Sequence, residues 1–106
     1  MIVYEIKQGM HDGIVTFSRE VVSANVLEVE AGTNGYRGGD SGHGSRTYFR
    51  IEDLASTDMT VGVTEHGFWV SLGGDCELET ITEALKFIVQ VLEEQAEEYG
   101  DSHGGR

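Results

Sequence analysis

A chain of 106 residues sets the scale of one domain, and a formal charge of −12 disfavours direct binding to nucleic acid or to an anionic membrane, both of which the long-range field repels. Hydrophobic and charged contents of 39% and 25% fit a folded protein rather than a disordered one. The single cysteine, Cys76, excludes an intramolecular disulfide and fits a reducing compartment.

In chain order, residues 2–7 alternate as a strand, and Gly9 to Gly13 has the composition of a turn. A second strand is expected around Ile14–Arg19, with Val15 and Phe17 on one face. Asn25–Ala31 is a third, with Leu27 and Val29 opposite Glu28 and Glu30. Arg46–Glu52 is a fourth: Thr47, Phe49 and Ile51 share a face, and Arg46, Tyr48, Arg50 and Glu52 the other. Asp53–Asp58 reads as a connection with a turn of helix at Leu54–Ala55. Met59–Glu65, with Met59, Val61 and Val63 inward, and Phe68–Leu72 form a hairpin closed by Glu65, His66 and Gly67.

The last element is a helix. Thr80 and Glu83 have the spacing of a capping box. Ile81, Leu85, Ile88, Leu92 and Tyr99 form its expected stripe, widened by Ala84, Val91 and Ala96, with Phe87 and Val89 beside and behind it, and Gly100 its stop. The architecture predicted is α+β: a mainly antiparallel sheet of about five to six strands packed by one long C-terminal helix. Residues 1–100 form one domain, and 101–106 a tail.

The chemistry concentrates between the third and fourth strands. Six of the fifteen residues 32–46 are glycine, and residues 32–50 hold Arg37, Arg46 and Arg50 against Asp40 alone. Long loops in compact domains are commonly functional. Backbone amides from Gly38, Gly39, Ser41, Gly42, His43 and Gly44 suit an anion nest, with the arginines as forked donors to phosphate. Tyr36 or Tyr48 can stack on a base, Ser45 and Thr47 can bind oxygens, and Asp40 or His43 can read a ribose or base edge. No P-loop or dinucleotide fingerprint is present. His11, Asp12, Asp40, His43, His66 and Cys76 lack the paired spacing of a structural zinc site. No metal, cofactor or catalytic residue is expected.

The run Gly35-Tyr36-Arg37-Gly38-Gly39-Asp40-Ser41-Gly42-His43-Gly44-Ser45-Arg46-Thr47-Tyr48-Phe49 resembles a segment of small proteins from phages and bacterial mobile elements. The resemblance implies an anti-defence factor working in the host cytosol. Such a protein would be a non-enzymatic, homo-oligomeric sponge for a small phosphorylated nucleotide such as a cyclic oligonucleotide or an ADP-ribose-type signal. The alternative partner is a basic host defence protein, a nuclease whose nucleic-acid groove would take the Glu93–Glu98 and Asp53–Glu65 acids. The start Met1-Ile2-Val3-Tyr4-Glu5 has no signal-peptide pattern, and no apolar run approaches a membrane span.

Overall fold

The computed structural model describes residues 5–40 and 43–100. Four strands, β1 (Lys7–His11), β2 (Ile14–Val22), β3 (Val26–Thr33) and β4 (Thr47–Ala55), form an antiparallel sheet in the order β1-β2-β3-β4. β5 (Met59–Val63) and β6 (Phe68–Leu72) form a separate two-stranded hairpin, and α1 (Asp75–Gly100) completes the described chain. The antiparallel α+β expectation holds, but as four strands plus two rather than one sheet of five or six.

The differences have local causes. Of the strand expected over residues 2–7, residues 2–4 lie outside the described residues; β1 begins at Lys7 and runs through the expected turn, because the turn needs only Asp12 and Gly13, with φ of 50° and 80°. Two consecutive positive φ values match the twist of flanking strands, so Gly9 stays in the ladder opposite Thr16. β4 continues through Leu54 and Ala55, where a turn of helix was expected. Val26 pairs with Ala55 and Leu27 with Asp53, so Leu54 is the extra residue of a bulge.

α1 begins at Asp75, five residues before the expected cap. The Leu78 amide donates to the Gly74 carbonyl at 3.0 Å, closing the first turn. Asp75 and Glu77 complement the positive end of the helix dipole. Thr80 is therefore inside the helix, and its hydroxyl is 3.1 Å from the Cys76 carbonyl. The capping box does not form. At 26 residues the helix is ~39 Å long.

The core lies between α1 and the sheet: Val21, Val29 and Ala31 meet Ala84, Phe87, Ile88 and Val91, with Phe17, Ile51 and Leu92 packed around them. Ala84, Ile88 and Val91 of the expected stripe are buried and Leu92 packs beside them, but the stripe is turned toward Phe87. Phe87 is buried and Leu85 is half exposed, because the helix seats chiefly on β3. Two polar side chains lock this seat. Gln95 accepts from the Thr33 amide at 2.9 Å and donates to the Val15 carbonyl at 2.9 Å, satisfying the strand ends where β2 and β3 stop pairing. Asn25 donates to Thr57 Oγ1 and to Thr80 Oγ1, fixing the β2–β3 turn to the helix.

The β5–β6 hairpin departs most from expectation. Met59, Val61 and Val63 were read as inward, yet Val63 is 86% exposed and Val61 56%. A single helix covers one sheet face, and that face belongs to β1–β4. The radius of gyration is 15.5 Å, above the ~13 Å of a compact chain this long.

Candidate functional site

The glycine-rich segment is anchored at its base. Thr33 ends β3, and its hydroxyl reaches the Arg46 carbonyl (3.1 Å), Thr47 Oγ1 (3.0 Å), Ser45 Oγ (3.3 Å) and the Gly35 amide (3.1 Å). Asn34 adds a two-way clasp: its amide donates to the Arg46 carbonyl, and its Oδ1 accepts from the Arg46 amide at 2.8 Å. Loop entry and exit are therefore tied side by side. Gly35 sits at φ 82°, against the Tyr99 side chain, where a Cβ would collide.

Within the loop the anion nest is only partly open. The His43 and Gly44 amides both donate to the Asp40 carbonyl, at 2.8 and 2.6 Å, so neither points outward. Gly38 and Gly39 remain exposed, with Gly38 at φ 75°. Ser41 and Gly42 lie outside the described residues. Asp40, His43, Ser45 and Tyr36 are exposed.

The three arginines have separate fates. Arg50 stands opposite Glu30 in the β3–β4 register. Its Nε is 3.0 Å from Glu30, Nη2 is 3.0 Å from Glu28, and Nη1 is 2.6 Å from Glu52. Three carboxylates occupy its fork, so Arg50 is withdrawn from the expected phosphate-binding set. The reason is the neighbouring row: Glu20 opposes Glu28, and Glu28 opposes Glu52, like-charge pairs that need a cation between them. Burial alone would push the Glu30 carboxyl up. Hydrogen bonds from Thr16 and Arg50, with the guanidinium charge, outweigh it and hold Glu30 below its ordinary 4.5. The same carboxylates raise the Arg50 pKa against the effect of burial.

Arg37 lies over the Tyr99 ring, 5.6 Å from its centroid, and remains exposed. Arg46 is exposed, and its guanidinium makes no ion pair with a described residue. Tyr48 stacks on His11, ring centroids 3.6 Å apart and planes 17° from parallel. This contact spans β1 to β4 above Gly32, whose missing Cβ leaves room for the Val15 carbonyl and Thr16.

A cleft of about 430 Å³ opens beside the loop. Thr47, Phe49 and Ile51 of β4 form one wall, Met59, Val61, Phe68 and Val70 of the hairpin the other, and Tyr48 and Arg50 border it. Phe49 and Phe68 face each other across it, with centroids 6.3 Å apart. Its lining is apolar, and it begins at Thr47, the residue after Arg46. Sequence reasoning named Thr47, Tyr48 and Arg50 and missed the hairpin wall. The available signal was the hairpin, charged only at its tip, whose six alternating residues Met59, Val61, Val63, Phe68, Val70 and Leu72 share one face with no second helix among the described residues to cover them.

Among the described residues, no group of three or more His, Cys, Asp or Glu is placed to hold a metal ion, and no described helix is long and apolar enough to cross a membrane. Cys76 is a free, half-buried thiol in the first turn of α1. No protein-family model, curated protein or solved structure matches this chain.

Proposed function

We propose that this chain is a binding protein that captures a small phosphorylated nucleotide, with the base in the β4–hairpin cleft and phosphate at Arg46. The observation that carries this reading is the juxtaposition of an aromatic-walled apolar cleft with an exposed arginine, one residue before its rim, that makes no ion pair with a described residue. A volume of about 430 Å³ lies within the ~300–1,000 Å³ of small-molecule sites, which are mainly apolar with few charged groups. Phe49 and Phe68 supply surfaces for a flat base. Arg46 supplies a forked donor, and Arg37 is a second exposed cation on the same loop. Capture without turnover would remove a nucleotide signal from solution, the role of a phage anti-defence sponge.

Isothermal titration against cyclic di- and trinucleotides and cyclic ADP-ribose isomers tests the reading. Arg46→Ala is expected to weaken binding roughly 10–100-fold, the scale of one charge-assisted hydrogen-bonded contact. Heat from none of these compounds, or an Arg46→Ala affinity equal to wild type, refutes it.

A second reading is favoured by Glu93, Glu94, Glu97 and Glu98, all exposed along the C-terminal half of α1. Such a row can occupy a basic groove on another protein. A complex of that kind would weaken with salt and with charge reversal on α1, and ignore Arg46→Ala.

A further inference from the structure

We propose that the β5–β6 hairpin is a dimerisation arm, docking on the exposed flank of α1 in a second copy of this chain. The arm stands off the body. Its base is tied to the helix start, through the Gly73 amide to the Asp58 carbonyl at 3.0 Å and the Asp58 amide to Glu77 Oε2 at 3.1 Å. Beyond that base, its backbone pairs only within itself.

Its apolar face is far more open than a packed hairpin allows: Val61, Val63 and Phe68 are 56%, 86% and 60% exposed. The complementary surface is on α1. Phe87, Glu94 and Glu98 line the groove toward Phe17 on β2. At ~100° per residue, Leu78, Leu85 and Val89 fall on the opposite flank, toward β4 and the arm. These three are 65%, 48% and 51% exposed.

Area and charge select a second copy as the occupant. These six side chains expose roughly 600 Å² per copy, so reciprocal docking of two copies removes about 1,200 Å², where specific interfaces begin. Most possible self-contacts in a chain of −12 are repulsive, but the arm is charged only at its tip, by Glu65 and His66 when protonated. Lys86 and Glu93 border the same groove as Leu85 and Val89, so of the surfaces a second copy offers, the flank can take the arm's uncharged face without adding carboxylate repulsion. Each copy offers both an arm and a flank, so one two-fold axis satisfies both. Phe68 and Val61 also wall the cleft, so the seated copy covers its mouth. The dimer rests on this surface alone and stands whether or not the cleft takes a nucleotide.

Sedimentation equilibrium at 1–100 μM in ~150 mM salt, near physiological screening, reads the mass directly. Wild type is expected at twice the monomer's 11.6 kDa. Leu85→Glu and Val63→Glu, each at an exposed site, are expected to sediment as monomers with wild-type helical circular dichroism. Gln8→Glu on β1, exposed at the sheet edge away from β4, serves as the charge-matched control and should remain dimeric. A monomeric wild type at 100 μM overturns the proposal, as do two variants that dimerise as wild type does.

Discussion

Leu27→Ala is expected to lower stability by about 3–4 kcal/mol, through lost transfer energy and the cavity left behind. Leu27 is 0% exposed, the largest fully buried side chain of the described residues. It lies in β3 between Val21 on β2 and Asp53 on β4, on the face that α1 covers. Strands on both sides and a helix above limit collapse into the vacated space. Domains are typically stable by ~5–15 kcal/mol, so one such loss is a large fraction of the whole. Urea denaturation followed by circular dichroism measures it. A loss below about 1 kcal/mol would show that the β3–α1 interface relaxes around the deletion and is not the principal core.

Arg50→Met is the second large effect, expected to cost about 2 kcal/mol at pH 7. The substitution keeps much of the aliphatic stem and removes the guanidinium that ion-pairs with Glu28, Glu30 and Glu52. The figure stays below that of a fully buried pair because the Arg50 side chain is 31% exposed, and water screens part of the interaction. The pH dependence has a definite sign. Glu30 is held below 4.5 in the folded protein, so its contribution is complete above that value and is lost as pH falls through the lower folded pKa. In Arg50→Met, burial is no longer outweighed by the cation, and the Glu30 pKa rises. The gap between wild type and variant should therefore be widest near neutrality and shrink below pH 4.5. A gap independent of pH between 3 and 7, read by thermal unfolding, would mean that Arg50 acts through its hydrocarbon stem alone.

Arg50 also shows why the candidate site was only half legible. In the sequence it is one of three arginines near a glycine loop, indistinguishable in role from Arg46. Four residues apart, the two side chains share a strand face by parity, yet register alone decides that Arg50 meets Glu30 and that Arg46 lies beyond the acids. The loop amides teach the same lesson. Glycine content indicates backbone freedom, but not that His43 and Gly44 turn inward onto Asp40. Thr33 and Asn34, which hold the loop ends together, carry no motif. Their role emerges only when β3 and β4 pair.

What the sequence by itself determined was local. Alternation located the β6 residues Phe68–Leu72 and the turn before them, and the 3.6-residue period located the body of α1. Those patterns arise from side-chain direction along one segment, so no distant contact is needed to read them. Only the tertiary structure decided which apolar faces were covered. Thr80 lost its capping role because Gly74 and Asp75 started the helix earlier, and the helix settled on β3 with Phe87 inward and Leu85 outward. The hairpin remained outside the sheet with its apolar face open, because burial depends on how many layers compete for one helix, a quantity no single segment contains.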